Sequence, residues 1–199
     1  MNRQPSITLL IKPASGSCNL SCRYCFYADE MNNRSEKTFG HMSLDTLDIL
    51  VRKTLDQVSS SATFAFQGGE PTLVGLDFYR RLMEMEHKYN TRSLELHNSI
   101  QTNGILLDET WADFLRDNRF LTGLSMDGYE EIHDENRRFP DGSGSFQRVL
   151  HAARLLQKAG ADFNILSVVT AQSARRIRRI YRYFGEQGFA YQQYIPCID

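Results

Sequence analysis

Cys18-Asn19-Leu20-Ser21-Cys22-Arg23-Tyr24-Cys25 holds three of the chain's four cysteines, spaced C-x3-C-x2-C. Free cysteine is otherwise a scattered, buried hydrophobe, so this density requires a chemical reason. Thiolates packed this closely hold metal centres. Three are one short of closing a structural zinc site or saturating an iron–sulfur cube. A cube held by three cysteines keeps one iron open to an outside ligand. The competing readings are a zinc site completed by His41 or Cys197 and a redox pair, Cys22 with Cys25. Zinc ligands come as two short-spaced pairs, and no second pair follows Cys25.

The position of the triplet fixes the rest of the reading. Ile7 to Lys12 reads as a buried strand, and the cysteines follow it on a loop containing Pro13 and Gly16. In β/α barrels the active loops sit just after the C-terminal ends of strands. Downstream, Asp29 to Gly40 is polar and reads as an extended loop. Ser43 caps a helix from Leu44 to Ser59, with Leu47, Leu50, Val51 and Leu55 at helical spacing. Ala62 to Gln67 reads as a strand, Leu76 to Asn90 as a helix, and Leu94 to Gln101 as a strand. Asp108 caps a short helix around Trp111, and Phe120 to Met126 reads as a strand. A loop is expected over Glu130 to Gly144, then a helix capped by Ser145 and ended by Gly160. Phe163 to Val169 is a continuous apolar strand, Ala174 to Gln187 a helix, and Ala190 to Ile195 the last strand.

Six strands alternating with five helices predict parallel strands with right-handed crossovers. A complete eight-stranded barrel needs about 250 residues, so 199 residues fit an open six-stranded (β/α)6 partial TIM barrel. With 41% hydrophobic residues the chain is expected to form one domain over residues 1–199. A net charge of −1 gives no global pull toward nucleic acid or membrane, and neither is an expected partner. No apolar run reaches about 18 residues. A clustered trio of cysteines suits a reducing compartment, so a cytoplasmic location is expected.

Each strand end carries polar or glycine-rich residues: Gln67-Gly68-Gly69-Glu70-Pro71-Thr72, Gln101-Thr102-Asn103-Gly104 and Leu124-Ser125-Met126-Asp127-Gly128. Two adjacent glycines let a backbone approach a ligand closely. A serine hydroxyl at a strand end can bond a carboxylate or ribose. Arg137, in Asn136-Arg137-Arg138, offers a guanidinium for a carboxylate. Taken singly, each also fits ordinary turn chemistry. Asp127 beside Gly128 reads as a turn residue rather than a general base.

In this order, with an aromatic residue before the third cysteine, these segments resemble the radical S-adenosylmethionine (SAM) enzymes. The set resembles their anaerobic sulfatase-maturating branch, joined by Leu10-Ile11-Lys12-Pro13, Cys25-Phe26-Tyr27, Phe163-Asn164-Ile165-Leu166 and Gln193-Tyr194-Ile195-Pro196. The resemblance implies that Cys18, Cys22 and Cys25 ligate one 4Fe–4S cluster, whose open iron binds SAM. It puts Tyr24, Gly69, Ser125, Arg137 and Ile198 on SAM-contacting positions, with Gln67 beside them. It implies reductive cleavage of SAM to a 5′-deoxyadenosyl radical, which takes hydrogen from Cβ of a cysteine or serine in a sulfatase peptide. Formylglycine is the product. An electron donor such as ferredoxin or flavodoxin is the implied partner besides the peptide.

That family carries a C-terminal SPASM extension, with two further clusters and the aspartate taken to accept the substrate proton. No cysteine cluster follows Cys25 here, so a fragment or a naturally short relative is expected, ending before its last helix. A radical SAM enzyme acting on another peptide or natural product, or a non-catalytic metal-binding domain, are the alternatives. His41, His87, His97, His133 and His151 share no ligand spacing and read as structural or surface residues. Arg175, Arg176, Arg178, Arg179 and Arg182 read as a solvated helix face, and Cys197 as a buried bystander.

Overall fold

A computed structural model describes residues 3–197. Six strands, β1 (Gln4–Ile11), β2 (Val58–Phe66), β3 (Glu95–Thr102), β4 (Leu121–Ser125), β5 (Phe163–Val169) and β6 (Gln192–Pro196), form one sheet in sequential order. All five pairings are parallel. Helices α2 (Leu44–Gln57), α3 (Leu76–Tyr89), α4 (Glu109–Asp117), α6 (Phe146–Ala159) and α8 (Ile177–Glu186) supply the crossovers. Each strand needs one because parallel neighbours cannot be joined by a tight turn. The expected open six-stranded half-barrel is what the chain forms. Among the described residues no helix is long and apolar enough to cross a membrane.

The core lies between the helices and one face of the sheet. Ala62, Phe64 and Phe66 of β2, Ile100 of β3, Leu124 of β4 and Ile165 of β5 are buried there. Buried Tyr79 packs edge-on against Phe66, Phe78, Trp111 and Phe120. The predicted caps at Ser43 and Asp108 form, accepting from Thr46 N at 3.1 Å and Trp111 N at 2.9 Å. Gly160 takes the left-handed conformation that ends α6.

Several local expectations are corrected. The strand read as buried at Ile7–Lys12 is an edge strand, with Leu10 59% exposed and only Ile11 buried. An open sheet has no eighth strand to close against β1. The helix read to Ser59 stops at Gln57, because Val58 already pairs with Gln4. The segment read as an extended loop from Asp29 contains most of helix α1 (Phe26–Asn32), which buries none of its residues and so shows no apolar stripe. The loop read over Glu130–Gly144 begins with helix α5 (Glu130–Asn136), too short to display a period. The helix read from Ala174 is preceded by a single turn, α7 (Ala171–Ala174), closed by a Thr170–Ser173 capping box. Ser145 sits at the N-cap of α6, but its hydroxyl is used elsewhere. The five arginines around α8 are exposed, as expected.

Glu86 on α3 is buried against β3, where Asn98 Nδ2 donates to both carboxylate oxygens at 3.0 and 3.1 Å. Burial, opposed by that one donor, pushes its pKa from 4.5 up to about 7. A carboxyl that holds its proton more tightly when folded loses stability as pH rises from about 4.5 to about 7. We expect Glu86→Gln to remove this dependence and to raise Tm at pH 8. The gain is bounded by about 3 kcal/mol, since each tenfold difference in proton affinity between the folded and unfolded states is worth about 1.4 kcal/mol. Parallel melting curves of the two proteins at pH 8 would show it.

Candidate functional site

The C-terminal ends of the strands converge on the cysteine loop, which runs from Lys12 to Cys25. Gly69, in the turn after β2, has φ +59°, and a Cβ there would stand 2.3 Å from Ser17 O. Only glycine permits this approach of turn to loop. The adjacent Glu70 N–H donates to the same Ser17 carbonyl at 2.8 Å.

Glu70 is fully buried and binds the turn to β3. Its Oε1 accepts from Thr72 N at 3.0 Å, Thr72 Oγ1 at 2.6 Å and Thr102 Oγ1 at 2.7 Å, and its Oε2 from Asn103 N at 2.8 Å. Burial raises its pKa, and these donors oppose the rise by favouring the anion. Asn103 passes the linkage on, donating from Nδ2 to Asn19 Oδ1 at 2.7 Å and toward Cys18 Sγ at 3.7 Å. The chain of contacts Glu70–Asn103–Cys18 therefore holds the first cysteine against β3.

A second cluster holds the other end of the loop. The Tyr24 hydroxyl donates to Asp127, just beyond β4. Asp127 forms a buried two-point ion pair with Arg137, Nε at 3.1 Å and Nη2 at 3.2 Å. Arg137 also lies over the Tyr24 ring, 5.4 Å from its centroid. Burial works against the guanidinium charge, but Asp127, Tyr24 and Cys22 together more than offset it and hold the group protonated. Ser21 N and Arg23 N donate to the carbonyls of Arg138 at 2.7 Å and Asn136 at 3.0 Å. Behind this, buried His133 accepts from Asp127 N at 3.4 Å through Nδ1. Its Nε2 then carries the proton and donates to Ser145 Oγ at 2.9 Å, while that hydroxyl donates to Arg137 O at 2.8 Å. Burial drops the His133 pKa to about 3, so it is a neutral structural group.

The reading of Asp127 as a turn residue is corrected: its carboxylate is an interior hub. The reading of Arg137 as free to take a ligand carboxylate is also modified. Two of its five donors are already engaged by Asp127, and three remain. Asp127, Asn103 and Glu70 received no site role from the sequence. Each lies in a strand-end segment that carries the family resemblance, but the resemblance put the ligand contacts on neighbouring residues.

The remaining candidates line the open inner face of the sheet. A cavity of about 300 Å3 runs along it, bordered by Gln67, Ser99, Gln101, Gly123, Asn164 and Gln193. Gln101 Nε2 donates to Ser125 Oγ at 3.0 Å. Gly123 leaves the space for this side chain, since a Cβ there would stand 2.1 Å from Gln101 Oε1. Gln67 Nε2 approaches the Tyr27 hydroxyl at 3.4 Å. A closed barrel fills this interior with apolar layers; here it is an open groove in which side-chain amides alternate with apolar Ala65, Leu121, Leu166 and Ile195. Ile198 lies outside the described residues.

All four cysteines are free. Among the described residues no three His, Cys, Asp or Glu side chains converge as a single metal ion requires. Cys197, a candidate fourth ligand in the zinc reading, donates its backbone N–H to Val169 on the strand pair farthest from β1. A cube is gripped at separate corner irons, so its thiolates need not converge on one point. Burial raises the pKa of the Cys22 thiol. Such thiols ionise on binding iron rather than in isolation. The donor set fits a three-cysteine cluster.

Comparison with known proteins places this arrangement. Residues 13–184 match the family model described as the radical SAM superfamily. The chain is 49% identical over 195 residues to a cysteine-type anaerobic sulfatase-maturating enzyme of Clostridium perfringens, covering 98% of this chain and 53% of the relative. A serine-type anaerobic sulfatase-maturating enzyme of Bacteroides thetaiotaomicron is 36% identical over 196 residues, covering 96% and 46%. A solved structure described as native anSMEcpe with bound AdoMet and Cp18Cys peptide superposes with a TM-score of 0.92 at 48% identity, covering 98% of this chain and 52% of that one. The chain spans about half the length of these relatives. With the family model matched across the half-barrel and its cysteine loop, the chain belongs to the radical SAM superfamily, whose cofactors are a 4Fe–4S cluster and SAM.

Proposed function

We propose that residues 1–199 form one core domain, the SAM-cleaving part of an anaerobic sulfatase-maturating enzyme. Cys18, Cys22 and Cys25 hold the cluster. Tyr24, Gln67, Gly69, Ser125, Arg137 and Ile198 form the SAM site. The observation that carries the reading is the superposition, at TM-score 0.92 and 48% identity, on a structure described with both AdoMet and a cysteine peptide bound. When bound, the two cofactors supply reductive cleavage of SAM to a 5′-deoxyadenosyl radical, which oxidises a cysteine or serine of a sulfatase peptide toward formylglycine. Identity of 49% to the cysteine-type relative, against 36% to the serine-type one, favours a cysteine peptide.

The chain's own residues bind and orient. Glu70, through Asn103, fixes the Cys18 side of the loop, and Asp127, through Tyr24, fixes the Cys25 side. The Gly69 turn brings backbone amides against the same loop, where a ligand ammonium or carboxylate meets polar main chain. Arg137 offers its remaining N–H groups to the SAM carboxylate. The inner groove, lined by side-chain amides and by apolar residues such as Leu166 and Ile195, suits a nucleoside or an extended peptide. The free thiols and their need for a reducing compartment favour the cytoplasm, with ferredoxin or flavodoxin as electron donor.

The test is anaerobic reconstitution of this chain with iron and sulfide, followed by dithionite, SAM and a cysteine-containing sulfatase peptide. We expect 5′-deoxyadenosine by chromatography and no change in peptide mass. The groups that take the second electron and the proton are assigned, in this proposal, to the other half of the relatives. An iron-loaded protein that releases no 5′-deoxyadenosine would refute the SAM-cleaving reading. Catalytic peptide conversion would refute the division of labour.

A further inference from the structure

Asp127 is 1% exposed, yet one carboxylate joins four separate stretches of chain. Oδ2 accepts the Tyr24 hydroxyl from the cysteine loop and Arg137 Nε from the end of α5. Oδ1 accepts Arg137 Nη2 and, at 3.0 Å, Val168 N–H from β5. Its own N–H is anchored on His133, whose ring continues through Ser145 to the Arg137 carbonyl. Arg137 is thus gripped at its side chain and at its backbone by one closed circuit. Both carboxylate oxygens already accept two donors each. That leaves Asp127 no free site from which to take a substrate proton.

We propose that Asp127 is the positioning residue of the SAM site. Its two-point pair sets the plane of the Arg137 guanidinium, and its bond to Tyr24 sets the loop against which that plane stacks. The guanidinium then lies over the Tyr24 ring of the cysteine loop, 5.4 Å from its centroid. An arginine held this way loses little freedom on binding a carboxylate, so the cost of ordering it is met on folding. This proposal rests on the reading of Arg137 as the contact for the SAM carboxylate. It goes beyond that reading by naming the group that aims the contact.

A double-mutant cycle on the iron-loaded full chain separates positioning from mere structure. The variants are Asp127→Asn, Arg137→Gln and the double substitution. Titration calorimetry gives the Kd for SAM, iron content and Tm are followed alongside, and electron paramagnetic resonance of the reduced cluster is recorded with and without SAM. We expect Asp127→Asn to retain iron and to bind SAM at least about tenfold more weakly, with a smaller SAM-induced change in the resonance. The double variant should bind little more weakly than Arg137→Gln alone, because Asp127 reaches the SAM carboxylate through Arg137. A purely structural Asp127 would lower Tm and leave the Kd unchanged. Wild-type affinity in Asp127→Asn beside weakened Arg137→Gln would overturn the proposal, as would additive losses in the double variant. Wild-type affinity in both single variants would instead refute the assignment of Arg137 to SAM. If Asp127→Asn fails to load iron, Asp127→Glu keeps the charge but displaces the guanidinium by a methylene. It should load iron and still bind SAM weakly, and wild-type affinity there would overturn the proposal.

Discussion

Alanine at Cys18, at Cys22 or at Cys25 is expected to abolish the visible absorption and the stoichiometric iron of the reconstituted protein, while Cys197→Ala leaves both. The unsubstituted chain should take up about four irons and four sulfides. The physical reason is the loop itself. Only these three thiols share one segment, and both ends of that segment are pinned to the barrel, at Asn103 by way of Cys18 and at Asp127 by way of Tyr24. A cube held by three thiolates has no spare protein ligand. Cys197 extends β6, with its N–H on Val169, at the edge of the sheet opposite β1. Iron and sulfide analysis of the four single variants decides the matter. Cluster loss in Cys197→Ala, or retention in any of the other three, would overturn the assignment.

Glu70→Ala is expected to be the most damaging substitution outside the cysteines. It strips four donors of their acceptor at once: Thr72 N, Thr72 Oγ1, Thr102 Oγ1 and Asn103 N. Each orphaned buried donor costs about 1–3 kcal/mol, less whatever water recovers. A net loss of about 3–5 kcal/mol is in line with breaking a buried charged network. For a chain of this size each kcal/mol moves Tm by roughly 2–4 °C, so a fall of about 6–20 °C should be seen. Because Asn103 also steadies Cys18, iron loading should fall with it. Glu70→Gln keeps an acceptor oxygen and should lose less on both counts. Calorimetry and iron analysis on the same samples test this. An unchanged Tm in Glu70→Ala would mean that the hub is dispensable.

The groups on which these results depend were unequally visible in the sequence. The three cysteines announce themselves because the ligands of the proposed cluster sit in one short loop. Gly69 was visible as a place of close backbone approach, though what approaches it is the Ser17 carbonyl of the cysteine loop. Asp127 looked like half of an Asp-Gly turn. Its partners lie 103 residues before it, at Tyr24, 10 after, at Arg137, and 41 after, at Val168. No local pattern encodes partners at such separations. Helix α1 escaped for a different reason: it buries no residue, so its sequence has no apolar face to repeat.

By itself, then, the sequence determined the alternation of strands and helices, because burying one face of each element imposes its own period on the apolar residues. It also picked out the thiol set proposed to hold the cluster, because those three cysteines are neighbours in the chain. Tertiary structure alone decided that β1 is an exposed edge and the sheet's inner face an open groove, since both depend on whether the barrel closes. It alone decided that Glu70, Asp127 and Arg137 are buried and paired. A charged side chain reads the same in sequence whether it meets water or a partner, and only the fold brings those partners to within 3 Å or so.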